Sequence, residues 1–563
     1  MGFGFLNHEI SNVHAAAFLL GAAGLVSRIL GVFRDRLLAS NFGAGRELDA
    51  YYAAFQIPDF VSVVFLLGAG TAAILPIFQD YLLKDRDRAH RLISRLSTVF
   101  IAASLAAVLI LFFAAPFLIR YIVPGFSEAD RGLVVMLTRI MLFSPVLLGL
   151  SSILTSVVQS FQRFFAYALA PIFYNIGIIL GILFFVPVLG ISGLGFGVVL
   201  GALLHLFVQW VSASTLGFAP RMVWGGIEPG MRKIAGLAFP RVLSVSLSQL
   251  TLLVLVAIGS TLEKGSVAVF NLAQNLYALP VGVFGISYAT ALFSRLSRAF
   301  IARDAKDFYY EFFIGIRSIL FWIMPTAVIF IVLRAHIVRV AFGAGAFSWE
   351  DTRLTAAVLA ALTLAMFEGG LTSYFTKGFY ALESTWAPLW VNSIASAGSI
   401  GGALFFTNLF LISSPVAEFL KRMFRVPDIA HAEVLGLAFG FTLGLLINII
   451  FLYFFLMRRA ERIFGARVSF PWFPIFKIII ASLIAGAVAY AVRASFSQVL
   501  PLITFFQVLM QGALAGVAGF TVYIGTLFLL RSDDAYSLLR GLERRLLKIG
   551  ILPRQWDGEG LIK

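Results

Sequence analysis

"AAAFLLGAAGLVSRILGVFRDRLLASNFGAG" (residues 15–45) opens as a membrane span and then turns charged. Ala15 to Val26 contain no polar side chain, yet Arg28, Arg34, Asp35 and Arg36 follow almost at once. The apolar theme continues outward: of 563 residues, 60% are hydrophobic and 13% are charged. A typical soluble chain carries about a quarter charged residues. Apolar runs of about 20 residues, the length that crosses a bilayer, recur from end to end. The fold class read from this pattern is an all-α polytopic membrane protein.

Apolar stretches fall near 12–33, 50–82, 92–118, 132–160, 164–187 and 191–216, then near 231–260, 266–294, 311–333, 352–380, 386–411 and 434–457. Two more, near 473–492 and 503–530, bring the expectation to about 14 transmembrane helices. The 43 Lys and Arg outnumber the 28 Asp and Glu. Cytoplasmic loops collect such charge, so the excess needs no nucleic acid to explain it. With the N-terminus inside, the basic segments "KDRDRAHRLISR" (84–95), "RLSRAFIARDAK" (295–306), "RRAERIFGAR" (458–467) and "RGLERRLLK" (540–548) all lie inside. Both termini are therefore expected in the cytoplasm. The start, "MGFGFLNHEISNVH", has no basic leader and reads as leading into a retained span rather than a signal peptide. In the tail, Arg540, Arg544 and Lys548 share one face, as in a helix that lies on an anionic leaflet.

Two short motifs recur at nearly one offset. "FSEADRGL" (126–133) and "FSWEDTRL" (347–354) share F-S-x-x-D-x-x-L, and "APIFYN" (170–175) is echoed by "APLWVN" (387–392). Read as a repeat, they define two six-helix lobes, 12–216 and 231–457, in the same membrane orientation. Such a parallel repeat is related by a pseudo-twofold axis along the membrane normal. Residues 473–530 form two extra helices and 531–563 a cytoplasmic basic amphipathic tail.

A charge at the bilayer centre costs about 2.5–3.5 kcal/mol or more, so the first-span charges need a cause. Arg28 and Asp35 share a helix face with Arg34 beside it, and Gly21, Gly24 and Gly31 permit a bend or close approach. Either Arg34 to Arg36 open an external loop, leaving Arg28 alone in the membrane, or the guanidinium groups line a cavity where they bind phosphate bidentately. Span two, "LDAYYAAFQIPDFVSVVFLLGAG" (48–70), adds Asp49, Gln56, Asp59 and Ser62, with Pro58 able to break the helix. Span seven carries Arg241, and span eight, "FNLAQNLYALP" (270–280), carries Gln274 and Asn275. No enzymatic constellation competes. The six histidines lack ligand spacing, cysteine is absent, and neither HExxH nor a GxxxxGK phosphate loop occurs. "GLGFGVVLG" (193–201) lies in a span, where close helix packing accounts for its glycines. No cofactor is expected. Energy would come from the membrane potential, a gradient of a monovalent cation, Na+ or H+, or the substrate's own gradient, with Asn392, Glu368 and Glu383 as candidate cation ligands.

The stretch "SRILGVFRDRLLASNFGAGRELDAYYAAFQIPDF" (27–60) resembles the opening of the MurJ/MviN family of lipid II flippases, in the multidrug/oligosaccharidyl-lipid/polysaccharide exporter superfamily. "FQRFFAYALAPIFYN" (161–175), "LPVGVFGISYATALFSRLSR" (279–298), "FGAGAFSWEDT" (342–352) and "KGFYALESTWAPLWVN" (377–392) extend the resemblance. The resemblance implies two lobes plus a groove for a polyisoprenoid tail formed by the last two helices. It implies alternating access that moves lipid II, the undecaprenyl-pyrophosphate-linked peptidoglycan precursor, to the outer leaflet of the bacterial inner membrane. The first-span arginines of the family map onto Arg28 and Arg34, with Asp35 and Asp49 as acidic neighbours.

The chain departs from the family where Gln56 replaces a basic residue, Ser62 and Val63 an arginine pair, and Leu67 a glutamate. Gln274 and Asn275 stand where an Asp-Arg pair is usual, and Ala278 where a glutamate is usual. Arg241 is placed to restore one positive charge. An extra external segment (413–433) offers Lys421, Arg422 and Arg425 to headgroups or a partner. Partners implied are lipid II, membrane lipids and the cell-wall synthesis machinery, with no nucleic acid, for a monomeric protein. The alternatives are a flippase or exporter for another polyprenyl-linked saccharide or small amphipathic compound, and a non-transporting lipid-binding scaffold.

Overall fold

The computed structural model describes residues 13–68, 71–226, 228–384, 386–429, 431–466, 468–499 and 504–549. Within these, the side chains of 13–17, 65–68, 71–72, 237–241, 244, 497–499, 541–542 and 544–549 lie outside the description. The described residues form helices and no strand. The first set is α1 (Val13–Phe42), α2 (Arg46–Ala54), α3 (Gln56–Gly68), α4 (Thr71–Lys84), α5 (Arg86–Ile122), α6 (Glu128–Met141), α7 (Phe143–Ser160), α8 (Phe164–Leu180), α9 (Val186–Leu189) and α10 (Ser192–Thr215). Then come α11 (Pro229–Ser260), α12 (Ser266–Pro280), α13 (Ile286–Ile301), α14 (Ala305–Phe342), α15 (Trp349–Thr363), α16 (Met366–Ala381), α17 (Trp386–Leu411) and α18 (Pro415–Met423). The chain closes with α19 (Val434–Phe464), α20 (Trp472–Val499), α21 (Phe505–Leu529) and α22 (Asp533–Ile549).

Among the described residues, ten helices are long and apolar enough to cross a membrane, or eleven when α15 and α16, bent by 42°, count as one span. Two of these run through single π-helical turns, Gly181–Phe185 and Val281–Gly285. The expected spans that do not meet this measure are the first, second and seventh, which carry most of the candidate polar residues. Span one is longer than expected: α1 continues to Phe42, so Arg34 to Arg36 are helical and do not open a loop. Span two is broken at Phe55, between α2 and α3. A proline ring collides with the carbonyl four residues earlier, and for Pro58 that residue is Ala54, the last of α2. The carbonyl of Ala54 instead accepts a hydrogen bond from the Thr138 hydroxyl at 3.2 Å.

The chain divides into two compact units. Unit one comprises Met1–Leu276, Ala341–Val358 and Pro388–Gly444. Its core gathers Ile74, Phe78, Ile93, Phe100, Ile153, Val157 and Phe218. A second cluster forms around Leu154, Val158 and Val208. The glycines of "GLGFGVVLG" serve packing, as expected: a Cβ on Gly181 would lie 2.3 Å from the Gly197 Cα, and one on Gly177 2.3 Å from the Gly201 Cα. Unit two comprises Tyr277–Val340, Leu359–Ala387 and Leu445–Lys563. There α14, α20 and α21 pack around Phe321, Ile478, Ala481, Tyr523 and Leu527, and the Tyr523 hydroxyl donates to the Phe321 carbonyl at 2.6 Å. Helix α22 is tied to this core by Arg317, which meets Asp534 at 2.9 Å, and by the buried Ala535. Arg540 is exposed, whereas the side chains of Arg544 and Lys548 lie outside the described residues.

Candidate functional site

Arg34 lies past the middle of α1 and bonds to its neighbour in the chain: Nε and Nη2 donate to the Asp35 Oδ1 at 2.9 and 2.7 Å. Its Nη1 donates to the Asn175 Oδ1 at 3.3 Å, on α8. The second Asp35 oxygen accepts from the Asn275 Nδ2 at 2.9 Å, on α12. Asn175 is itself held from behind, donating to the Ser27 carbonyl and hydroxyl at 3.2 Å and to the Pro171 carbonyl at 3.1 Å. Asp35 and Asn175 are buried. Three helices distant in sequence thus converge on one ion pair in unit one. Arg28 is half-buried six residues, less than two turns, back along α1. Gly31 faces Asn175, whereas among the described residues nothing lies against Gly21 or Gly24.

Asp59, accessible on the first turn of α3, is within electrostatic reach of Arg34, and Tyr51 and Tyr174 share that environment. Gln56 is buried at the break, its amide reaching only the Tyr52 carbonyl at 3.4 Å. Its Oε1 and the Tyr52 hydroxyl are buried with no hydrogen-bond partner among the described residues. Ser62 and Gln274 are half-buried on α3 and α12. Arg241 belongs to α11, but its side chain lies outside the described residues. Against the other face of α3 lies an apolar cavity of about 450 Å³, lined among others by Ile57, Val61, Leu111 and Leu250. A polar cluster with guanidinium groups beside apolar surface suits an amphipathic ligand that bears an anion.

Asp49 stands apart from this cluster. Its Oδ2 accepts from the Gly265 N–H at 2.6 Å and its Oδ1 from the Ala268 N–H at 2.7 Å, so the carboxylate caps the N-terminus of α12. Around this cap the loops of unit one interlock. Gly265 (φ +90°) would carry a Cβ 2.1 Å from the Ala44 carbonyl oxygen. The Ala346 N–H donates to the Ser40 carbonyl at 2.8 Å, and the Gly125 N–H to the Ser260 hydroxyl at 3.2 Å. Arg46 pairs with Asp130.

The two F-S-x-x-D segments both begin helices. Ser127 caps α6, accepting from the Asp130 N–H at 3.2 Å. Ser348 and Asp351 cap α15 reciprocally, at 3.0 and 2.8 Å. Of the candidate cation ligands, Glu383 is exposed at the end of α16 with φ +54°, and Asn392 is half-buried on α17. Glu368 is buried on the first turn of α16, where the Thr372 hydroxyl donates to it, and that hydroxyl also reaches the Asn448 Oδ1 at 3.4 Å.

Sequence reasoning missed Asn175 as a site residue. Its sign was there, an amide in the apolar run "PIFYNIGIIL", but it served only as a marker of the repeat. The tyrosines around Arg34 were likewise passed over.

Residues 38–510 match the family described as lipid II flippase MurJ. A "Probable lipid II flippase MurJ" of Thermotoga maritima is 27% identical over 527 residues, 93% of this chain and 98% of that protein. One of Rhizobium tropici is 29% identical over 67% of this chain and 72% of that protein. A solved structure, "Lipid II flippase MurJ, inward closed conformation", covers 92% of this chain and 99% of its own at 26% identity, with a TM-score of 0.73. A solved structure of an inward-facing multidrug resistance MATE family transporter shares the fold over 78% of this chain and 96% of its own, at 14% identity and a TM-score of 0.64. The charged second half of α1 and the broken second span agree with a match that spans residues 38–510: this chain belongs to the lipid II flippase MurJ family.

Proposed function

We propose that this protein flips lipid II across the bacterial inner membrane by alternating access. The observation that carries this reading is the Arg34–Asp35 pair, held by Asn175 and Asn275 inside a chain of membrane spans. Arg34 and Arg28 supply the charge for a pyrophosphate, and the apolar cavity beside α3 supplies surface for a lipid. The interlocked loops keep one side shut while the site loads from the other.

Parity supports fourteen spans and, taken with the positive-inside bias, cytoplasmic termini. The end of α1, the turns after α5 and α11, and the loop after α14 are bonded together through Ser40–Ala346, Asp49–Gly265 and Gly125–Ser260. Loops on one side of a membrane are separated by an even number of crossings. Helix α5 crosses on its own, so the broken α2–α4 segment crosses too. Between the turns after α5 and α11 lie three other candidate spans, so α11 makes the fourth. At about 1.5 Å per residue, the 30 residues of α1 are long enough to cross as well. The positive-inside bias then sets the bonded loops outside. The paired capping motifs, each opening the span after a bonded outer loop, support the two-lobe repeat, with 473–530 and the tail outside it.

The test is complementation of bacteria depleted of their own lipid II flippase, following survival and outer-leaflet exposure of lipid II. The wild-type chain rescues, and Arg28→Ala inserts normally but does not; flipping by Arg28→Ala at the wild-type rate would sink the reading. A second reading rests on Asn275, a neutral partner for Asp35: another polyprenyl-linked saccharide is the cargo. Failure of the wild-type chain to rescue, with such a lipid co-purifying, would favour it.

Coupling belongs to Glu368, the buried carboxylate beside the α15–α16 bend. Glu368→Gln is expected to bind cargo with unchanged affinity but to transport without response to an imposed Na+ or H+ gradient. A gradient response like that of the wild type excludes this role.

A further inference from the structure

We propose that α18 is an interfacial helix whose exposed apolar stripe is seated in the lipid leaflet next to it, the outer leaflet in the orientation proposed above. At about 100° per residue, Val416, Phe419 and Met423 fall within roughly 60° of one another, and they are 53%, 65% and 59% exposed. Leu411 and Ile412, also exposed, continue the stripe toward the end of α17. Glu418 and Arg422 lie about 110° away around the helix, and Ala417 and Lys421 are buried on a third side. A helix that only needed covering by its own protein would have two faces. Three faces (protein, apolar and charged) are what a helix has at the boundary between hydrocarbon and water.

The occupant is fixed by position. Helix α17 is a candidate span that ends at Leu411, and α19 is another that starts at Val434. Helix α18 begins three residues beyond α17, capped by Ser414, whose hydroxyl accepts from the Ala417 N–H at 3.1 Å. It is thus held where acyl chains give way to headgroups. The exposed Arg422 and Arg425 suit anionic phosphates at that depth. The helix cannot roll freely. Phe424 packs on Phe439 with ring centroids 5.4 Å apart, and Val426, Ile429 and Ala432 are buried behind it. Asp428 is clamped by Arg353, which also bonds the Arg425 carbonyl at 2.9 Å. That hydrogen bond from Arg353 holds the Asp428 carboxyl down at about 2, so the clamp stays intact through the neutral range and is lost only in strong acid. His431 lies 3.8 Å from Glu263, in the turn between α11 and α12. The segment therefore joins the lipid surface to α15 and to the turn between α11 and α12.

The chain has no cysteine, so Phe419→Cys, Met423→Cys and Arg422→Cys each accept a single nitroxide label. The full-length variants are reconstituted in vesicles of phosphatidylethanolamine and phosphatidylglycerol. Labels at 419 and 423 are expected to relax several-fold more with oxygen than with a water-soluble nickel chelate, and the label at 422 in the opposite order. Equal access of the nickel chelate to all three sites overturns the proposal, as does exclusion of both reagents from 419 and 423, which would mean a protein cover. The leaflet rests on the orientation and is read separately. A membrane-impermeant maleimide should label Arg422→Cys on intact spheroplasts, and labelling only after permeabilisation overturns the outer assignment whatever the nitroxides report.

Discussion

Asp49 spends both carboxylate oxygens on backbone amides of a helix 216 and 219 residues away in sequence. Hydrogen bonds to a charged group are worth about 1.5–3 kcal/mol each, so Asp49→Asn, which loses the charge and turns a donor toward an amide, should cost about 2 kcal/mol at the start of α12. Hydrogen exchange checks this: the Gly265 and Ala268 amides exchange faster in the variant while those of α5 are unchanged, and equal rates would remove Asp49 from the closure. The contrast with Arg34 explains what could be read at this scale. A guanidinium in an apolar run announces itself from composition alone, because the cost of placing it there demands a reason. The role of Asp49 depends on a partner more than two hundred residues away, which no local pattern encodes. The sequence offers it as the acid of the second span, and in the structure its carboxylate caps α12. Gln56 and Asn175 divide similarly, one legible as a departure from a family pattern and the other visible only once Arg34 has a direction.

Helix ends followed local chemistry where that chemistry was strong. Pro58 signalled the break in span two, but its effect falls at Ala54, because the clash is with the carbonyl four residues back. The apolar run of span one ends near residue 33, while the backbone continues helical to Phe42, since Arg34 and Asp35 satisfy each other. The glycine-rich stretch in α10 was legible because glycines at helical spacing in an apolar run have one common use. Its partner surface on α8 was not. Gly181→Leu would place a side chain against the α10 backbone, where even a Cβ lies 2.3 Å from the Gly197 Cα. Overpacking of this kind costs about 3 kcal/mol. Gly24→Leu has nothing within 4 Å and should stay within about 0.5 kcal/mol of wild type. Thermal unfolding of both variants in detergent separates the two, and a Gly181→Leu protein as stable as Gly24→Leu would show that α8 and α10 do not meet as described.

At the scale of the molecule, the alternating-access reading proposed above requires the loops that meet around Asp49 to part. Sequence patterning made the apolar runs and their charge bias readable, but it said nothing about which loops touch, because loop contacts depend on tertiary closure. Those contacts give the alternating-access reading its most direct test. The Ala346 N–H bonds the Ser40 carbonyl at 2.8 Å, joining the end of α1 to the loop before α15. In a chain without cysteine, Ser40→Cys with Ala346→Cys introduces the only thiols available for a disulfide. Oxidation is expected to stop lipid II reaching the outer leaflet, and a reductant to restore it. Each single variant should transport under both conditions, because it has nothing to cross-link. A fully cross-linked double variant that still transports would mean that these loops never separate. The interlocked face would then be a fixed scaffold, and cargo would have to leave by another route past Arg34.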